Sequence, residues 1–474
     1  MNLRYGPRKI VLLLLLCLSL TATACSGGSK NAGGGGGAAS PSASGSESAG
    51  GSESAGGGKV KLKFMYWGSA FEKAAMEKTI QSFNESHPNI EVKGEHVTGD
   101  YNAKMNTLMA TGELPDVAYL GEGLALKWAT DGKLLDMTPF LDTYPELGNR
   151  LKQSYYYYAP GKTIGTNSAV EMITLYYNRE LFEEAGVAPP PSKGDDAWTW
   201  DQFVDTAKKL TKDGSGKTPY DTGFNPKNIV QYGVSVPTWF GGWYPLLLSN
   251  GGDITNEDGS KFTMDSPEAI EVFTKLQDLM YKDYVAPTAT QQQNMPATNL
   301  RLQTKKVAMA IEGQWSLLDF ASTKMNVGIG VLPKFKQPTT IVLGAPTVIF
   351  ANTKHQQEAL EFYMYHNNPE QVDLFSKGLW MPLQEEYYTD QSKIDSWIKN
   401  DAHPAEYRQA VIDYTLGFAK RSPAYSLKNF VEIEPKINAA LDKVWTNKEP
   451  AEKVLRDMAK DVQPLLQGKY DAGQ

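Results

Sequence analysis

From residue 60 onward, hydrophobic positions first alternate with polar positions and then recur at helical spacing. Val60, Leu62, Phe64 and Tyr66 recur at every second position, which predicts a strand. The apolar positions that follow predict a helix with Met76, Ile80 and Phe83 on one face and a second strand over 90–97. They then predict a helix with Met105, Leu108 and Met109 and a third strand over 117–120. Strands and helices in this alternation predict an α/β fold with a parallel sheet covered by helices.

The later part of the chain continues the pattern with less regular spacing. Thr199 and Gln202 have the spacing of a capping box, so a helix is predicted to begin there. A loop is predicted over 234–242, where Pro237, Trp239 and Phe240 crowd together just before Trp243. The remaining predictions are strands at 175–178 and 307–311, helices from Ser266 and from Ala359, and a last amphipathic helix with Ile437, Ala440, Leu441 and Val444 on its core face.

Length and charge limit the classes of protein to which the chain can belong. The residues from Lys59 to the end exceed the usual size of one hydrophobic core, so two lobes are expected. Residues 1–24 contain three basic residues and no acidic residue, and their removal takes the formal net charge from −7 to −10. This acidic balance argues against a nucleic-acid partner.

The N-terminus has the order of a secretory signal. Arg4, Arg8 and Lys9 precede the apolar segment 10–20, and small residues lead into Cys25. The segment 22–25 resembles the lipobox of bacterial lipoproteins, in which the cysteine is acylated and becomes the new N-terminus, although leucine is usual where Ala22 stands. We therefore predict a signal peptide over 1–24 and a lipid on Cys25. An ordinary signal peptide cut near Ala24 is the alternative.

A segment of low complexity follows Cys25. Residues 26–58 are almost entirely glycine, serine and alanine and contain no aromatic or branched aliphatic side chain. Such a segment cannot offset its ordering entropy by burial, so 25–58 is predicted to be a disordered tether with a reach of roughly 30 Å. The two cysteines of the chain are Cys17 and Cys25, so the predicted body contains no disulfide.

Motifs of common enzymes are missing from the sequence. The five histidines do not have the spacing of a metal site, and no Gly-x-Ser-x-Gly elbow or P-loop is present. We therefore expect no catalytic residue, no metal site and no cofactor. A carboxylate pair for glycoside hydrolysis remains compatible with the many acidic residues, so a secreted, lipid-anchored glycosidase is the alternative from another class.

Six segments in order resemble the bacterial extracellular solute-binding proteins of family 1. This family comprises ligand receptors of carbohydrate ABC importers, and maltose-binding protein is its familiar member. The segments are TGELPDVAYLGEG at 111–123, ITLYYNRELFEEAGVAPP at 173–190, TWDQFVDTAKKLT at 199–211, KKVAMAIEGQW at 305–315, VGIGVLPKF at 327–335 and GAPTVIFANTKHQQEALEFYMYH at 344–366. The resemblance covers most of residues 59–474.

The resemblance implies a periplasmic-binding-protein type II-like fold. Two α/β lobes, each with a mostly parallel sheet flanked by helices, would be joined by several crossing segments and would hold a ligand in the cleft between them. The first lobe is predicted to comprise 59–168 and 344–395, and the second lobe 169–343 and 396–474. The implied protein is a monomer anchored through Cys25 to the outer face of the cytoplasmic membrane, as in Gram-positive bacteria, where it delivers a sugar or oligosaccharide to ABC permease subunits. A receptor for a polyamine, a metal complex or a phosphodiester is a further alternative.

Candidate binding residues follow from the chemistry of sugars, which offer hydroxyl groups at the edges of the ring and apolar C–H faces. Aromatic side chains suit the faces, and polar or charged side chains suit the hydroxyl groups. By the resemblance, Trp315 matches a sugar-stacking loop and Glu171 a hydroxyl-binding carboxylate, with core packing and a solvated position as the respective alternatives. Glu122 and Trp67 are candidates at predicted strand ends, and Trp239 and Trp243 are candidates in the aromatic loop. Two further aromatic candidates are Trp380 and Tyr425. One of Trp239 and Trp243 is expected to face the ligand.

Overall fold

Two large β-sheets and a separate two-stranded sheet organise the chain in a computed structural model that describes residues 58–470. The predicted signal peptide, Cys25 and all but the last residue of the predicted tether lie outside the described residues. The strands are β1 (Val60–Tyr66), β2 (Ile90–His96), β3 (Val117–Tyr119), β4 (Tyr155–Ala159), β5 (Lys162–Thr166), β6 (Glu171–Asn178), β7 (Lys212–Asp213), β8 (Ile229–Ser235), β9 (Val307–Gly313), β10 (Val327–Gly330), β11 (Thr340–Leu343), β12 (Thr347–Ile349) and β13 (Ala419–Arg421).

Helices cover both sheets. They are α1 (Ala70–Ser86), α2 (Tyr101–Thr111), α3 (Glu122–Thr130), α4 (Thr138–Leu141), α5 (Pro145–Gly148), α6 (Arg179–Ala185), α7 (Trp200–Leu210), α8 (Phe240–Ser249), α9 (Pro267–Tyr281), α10 (Ala289–Gln293), α11 (Thr298–Gln303), α12 (Leu317–Ser322), α13 (Gln356–His366), α14 (Glu386–Thr389), α15 (Gln391–Ile398), α16 (Tyr414–Phe418), α17 (Phe430–Trp445) and α18 (Ala451–Val462). Within residues 58–470, no helix combines the length and the apolar character that a bilayer crossing requires.

The first sheet has the strand order β12-β3-β1-β2, and β1 pairs in parallel with both β2 and β3. The period of two in β1 is confirmed, since Leu62, Phe64 and Tyr66 are buried in one core with Ile80 and Phe83 of α1. β12 returns from far along the chain and pairs antiparallel with β3. The predicted α/β series is therefore confirmed, and it places the carboxyl ends of β1 and β3 side by side.

The second sheet has the order β13-β11-β6-β9-β8-β7, with β10 also on β6. This sheet is mixed, whereas a mostly parallel sheet was predicted for each lobe. β8–β9 and β11–β13 are parallel pairs, but β6 is antiparallel to β9, β10 and β11. β6 is apolar and buried on both faces, and such burial does not fix the direction of the neighbouring strands.

Two local predictions require correction. The loop predicted over 234–242 is limited to 236–239, because β8 ends at Ser235 and α8 begins at Phe240. The Gly241-Gly242 pair and Pro245 are unfavourable within a helix, and α8 is buried on nearly all sides, so the sequence gives no amphipathic signal for it. A further helix, α18, follows the one predicted to be last. Val454, Leu455, Met458 and Val462 form its buried face, and this spacing is present in the sequence.

The chain passes between the sheets close to the carboxyl end of β3. Leu343 ends β11 of the second sheet, and Thr347 begins β12 of the first sheet, so three residues connect the two. Gly344 within this connection has a φ of +151°, and a Cβ there would lie 2.9 Å from the side-chain nitrogen of Asn167. The start of α3 lies beside this connection, since the backbone N–H of Gly344 donates a hydrogen bond to the side chain of Glu122. The predicted lobe boundaries stay a prediction.

Candidate functional site

A cavity of about 430 Å³ lies where the ends of strands from both sheets meet. Its wall combines aromatic and acidic side chains. The first sheet and its helices contribute residues from β1, α1, β3 and α3, and the second contributes residues from β6, α8, β11 and α17. The aromatic residues are Tyr66, Trp67, Tyr119, Trp239, Phe240, Trp315, Trp380 and Phe430, and the acidic residues are Glu72, Glu122, Glu171 and Glu434.

Trp315 occupies a central position between the two cores. It lies in a single 3-10 turn after β9, is half-buried, and packs against the main hydrophobic clusters of both sheets. Its indole ring folds back over Gly313, where a Cβ would come within 2.1 Å of the ring. The glycine in the Gly-Gln-Trp sequence therefore sets the orientation of the tryptophan.

We expect Gly313→Ala to displace the Trp315 ring and to weaken ligand binding. The backbone of Gly313 is compatible with alanine, so the effect comes from the contact of the new methyl group with the indole ring. Overpacking of this kind costs about 1–3 kcal/mol. Calorimetric titration of the variant measures the loss of affinity, and thermal melting measures the loss of stability. An unchanged affinity and an unchanged melting temperature would show that the position of the ring does not depend on Gly313.

Trp239 and Trp67 also line the wall. The ring centroids of Trp239 and Trp315 are 6.4 Å apart with planes at 40°, and Trp239 also packs edge-on against Phe240. Trp67 follows β1 and is held in edge-to-face contacts with Tyr101 and Tyr119 at 4.7 and 5.4 Å. Both indoles are half-buried, so each offers part of its surface to a molecule in the cavity.

Glu122 begins α3 and is almost fully engaged with protein groups. Its carboxylate accepts hydrogen bonds from the hydroxyl of Ser422 at 2.5 Å, the hydroxyl of Tyr156 at 3.1 Å and the backbone N–H of Gly344 at 3.2 Å. Burial raises the pKa of Glu122 to about 8, although these hydrogen bonds act in the opposite direction. Glu122 lies on the wall, but its contacts indicate that its main role is to join three segments beside the passage between the sheets.

Glu171 differs from Glu122 because no described residue donates a hydrogen bond to its carboxylate. It is the first residue of β6 and pairs with Leu343 of β11. Burial raises its pKa well above the usual range, and the negative charges of Glu72 and Glu122 add to the increase. The Glu171 carboxyl group on the wall is therefore available to a ligand.

Glu72 and Glu434 are acidic wall residues that the sequence analysis did not select. Glu72 closes the capping box of α1 with Ser69, whose hydroxyl also donates to Asp319 of α12 at 2.8 Å. Burial raises the pKa of Glu72 to about 7, and burial also raises the pKa of Glu434. The Ser-x-x-Glu spacing directly after the Trp67-Gly68 strand end is a signal that would have located Glu72. Glu434 lies in the first turns of α17, and its position follows from the direction in which that helix packs.

Trp243 and Tyr425, two of the predicted site residues, lie outside the cavity wall. Trp243 is 1 % exposed and packs against Phe273 in the core of the second sheet, because the segment that carries it is a helix. Tyr425 is 3 % exposed, stacks on Tyr156 at 4.2 Å and donates a hydrogen bond to Asn167. Of the pair Trp239 and Trp243, Trp239 is thus the one on the wall.

Trp380 reaches the wall with only a small part of its surface. It is 3 % exposed and packs edge-on against His366 at 5.0 Å. Burial lowers the pKa of His366 to about 3, so this imidazole is neutral, and its Nε2 lies 2.9 Å from the hydroxyl of Tyr119. This buried group supports the end of β3 beneath the cavity.

Basic side chains are missing from the part of the cavity wall that residues 58–470 form. Over the same range, no group of three or more histidine, cysteine, aspartate or glutamate side chains could hold a metal ion. The described wall therefore combines flat apolar surfaces with carboxyl groups that can form hydrogen bonds, and it has no basic side chain. Such a wall can hold a ligand with exposed C–H faces and several donor groups.

Comparison of the chain with known proteins identifies its family and proteins of similar fold. The family described as bacterial extracellular solute-binding protein matches residues 64–373. The sn-glycerol-3-phosphate-binding periplasmic protein of Escherichia coli is 22% identical over 408 residues, which cover 80% of this chain and 86% of that protein. A binding protein of Brucella abortus is 24% identical over 403 residues, 82% of this chain and 89% of that protein.

Solved structures of similar fold include sugar complexes. The ABC substrate-binding protein of Listeria monocytogenes in complex with cycloalternan has a TM-score of 0.74 and 23% identity, and covers 86% of this chain and 99% of its own. The maltose-bound MalE3 of Thermotoga maritima has a TM-score of 0.70 and 21% identity, and the match covers 86% of this chain and 100% of the MalE3 chain. The described chain thus has the two-lobed fold of these proteins, with the cavity between its lobes.

Proposed function

Because the chain belongs to the family of bacterial extracellular solute-binding proteins, we propose that it is the receptor of an ABC importer and captures a sugar or an oligosaccharide in its cavity. The observation that supports this most strongly is the wall itself, in which half-buried tryptophans lie with a carboxyl group to which no residue of 58–470 donates a hydrogen bond. Trp315, Trp239 and Trp67 would cover the faces of the sugar. Glu171 would accept hydrogen bonds from its hydroxyl groups.

The comparisons support a sugar ligand more than a phosphate ester. Similar structures hold cycloalternan and maltose, whereas one relative is named for sn-glycerol-3-phosphate. A phosphate dianion requires cationic or N–H donors, and the described wall offers acidic groups without a lysine or arginine. Charge therefore disfavours a phosphate ester or phosphodiester in this cavity.

Delivery to the permease would follow closure of the two lobes. Trp315 packs against the cores of both sheets, so its position depends on the distance between them. A ligand that touches both walls selects the closed state, because only there does it make all its contacts. The closed, loaded protein, which we propose to be a monomer, would then be recognised by the permease subunits.

Native mass spectrometry of the purified protein tests the proposed ligand class directly. We expect a carried-over mass that corresponds to a monosaccharide or an oligosaccharide and that is lost on partial unfolding. A phosphate ester or peptide in its place would contradict the sugar assignment. The glycosidase alternative is tested on a glycan panel, where we expect no release of reducing sugar, and sustained release would establish an enzyme.

We propose that acylated Cys25 holds the protein on the outer face of the cytoplasmic membrane. The proposal rests on the order of basic residues, apolar segment, lipobox-like residues and glycine-rich segment. One acyl chain gives only marginal membrane binding, so the expected anchor is a cysteine with more than one chain. Cys25→Ser should move the protein into the medium or block its processing, as detergent phase partitioning measures. Unchanged partitioning of the variant would contradict the anchor.

A further inference from the structure

The acidic groups of the cavity wall have no basic partner on that wall among the described residues. Four carboxyl groups reach it from four different elements, and no basic side chain of the described residues accompanies them. Buried carboxylates are normally compensated by a cation or by several donors. Glu122 has three donors, whereas Glu171 has none among the described residues.

We propose that the sugar captured here carries a protonated amino group, which binds beside Glu171 among the acidic residues of the wall. This inference rests on the proposed function, since it specifies the class of sugar. An ammonium group supplies the missing positive charge together with three hydrogen-bond donors. It also suits the aromatic surroundings, because a cation near the face of an indole or phenol ring gains a cation–π interaction.

The acidic groups interact with one another in the ligand-free cavity. The charges of Glu72 and Glu122 raise the pKa of Glu171, the charge of Asp319 raises that of Glu72, and the charge of Glu434 raises that of Glu122. Burial is the largest cause for each of these groups. The empty cavity therefore retains protons that exposed carboxyl groups would have lost at neutral pH.

A cationic ligand would displace these protons. The ammonium group favours the ionised carboxylates, so binding lowers their pKa values and releases protons to the solvent. Affinity should rise with pH as the carboxyl groups ionise, and it should fall again where the amine of the ligand loses its proton. A neutral sugar does not displace these protons. Proton release on binding therefore distinguishes an amino sugar from a neutral sugar independently of affinity.

Matched pairs of sugars test the inference by calorimetric titration of the mature protein. Each pair differs only in amino groups that replace the hydroxyl groups at C2. Glucosamine and glucose, and galactosamine and galactose, differ in one such group, whereas the β-1,4-linked dimer of glucosamine differs from cellobiose in two. In at least one pair we expect the amino sugar to bind at least about tenfold more tightly. Titration at pH 6.5 in two buffers of different ionisation enthalpy should show release of about one proton per amino sugar.

The variant Glu171→Gln keeps the shape of the side chain and removes its charge. It should reduce the preference for the amino sugar to less than about threefold and should reduce the proton release. Glu91→Gln is the matched control, because Glu91 is exposed on β2 and lies outside the cavity wall, and it should behave as the wild type.

Three results would overturn the inference. If the hydroxyl sugar of each pair binds as tightly as the amino sugar or more tightly, without proton release, the proposed amino group is rejected. The proposal of a sugar receptor would then still stand. Binding of spermidine, with no heat from any sugar at millimolar concentration, would reject the proposed function as well. A preference for the amino sugar that Glu171→Gln leaves unchanged would reject the assignment of the charge to Glu171.

Discussion

Trp315→Ala is expected to weaken binding of the sugar by about 2–4 kcal/mol, which corresponds to roughly 30-fold to 1,000-fold in affinity. The indole ring stands half-buried on the wall and contacts both hydrophobic cores, so its removal takes away a stacking surface and opens a void between the sheets. Calorimetric titration with the sugar found in the purified protein measures the loss.

Two further variants separate binding from folding. Trp315→Phe should recover part of the affinity, because phenylalanine still offers a flat face. Trp198→Ala removes another half-buried tryptophan that lies outside the wall, and it should leave affinity unchanged. If Trp315→Ala lowers the melting temperature of the ligand-free protein sharply while Trp315→Phe binds as the wild type, Trp315 serves mainly as core.

Glu122→Ala is expected to destabilise the ligand-free protein by roughly 2–4 kcal/mol, because it leaves buried donors without an acceptor. The N–H of Gly344 and the hydroxyl of Ser422 are the groups affected most, since Tyr156 also donates to the carbonyl oxygen of Gly344. Glu122→Gln should retain most of the stability. Its amide oxygen can accept from Gly344, and its amide nitrogen can donate to the hydroxyl of Ser422. Denaturant unfolding measures the free energy of unfolding of both variants and of the wild type.

The pH dependence of stability gives a second test of Glu122. Its pKa rises from 4.5 to about 8 on folding, so the folded state binds the proton more tightly than the unfolded state. The resulting stabilisation is fully present below pH 4.5 and decreases as the pH rises towards 8. Glu122→Gln, which cannot ionise, should lose this part of the pH dependence between pH 5 and 8. An identical profile for the variant and the wild type would show that Glu122 titrates normally.

The first sheet could be predicted from the sequence because its pattern is local. In β1 a period of two marks one buried face, and the apolar spacing of α1 covers it. The wall residues Trp67 and Glu122 were found for the same reason, since the ends of parallel strands lie at one edge of a sheet. The directions of β6 and β11 could not be predicted, because strand pairing across more than 150 residues leaves no local signal.

The candidate site shows the same limit at the level of single side chains. Trp239 and Trp243 are four residues apart and equally aromatic, but the helix that carries Trp243 turns it into the core. Tyr425 lies near the passage between the sheets, yet stacking on Tyr156 removes it from the wall. Glu434 enters the wall through the packing of α17, which depends on contacts distant in the chain. Residue type therefore indicates chemistry, whereas orientation depends on tertiary packing.

A crystal structure of the protein with the sugar that accompanies it through purification would test the proposed binding site. We expect a sugar ring in the cavity between the sheets, with a C–H face on the indole of Trp315 or Trp239. We also expect an amino or hydroxyl group of the sugar within hydrogen-bond distance of Glu171. A ligand bound elsewhere, or a sugar in the cavity without contact to these tryptophans and to Glu171, would contradict the proposed site.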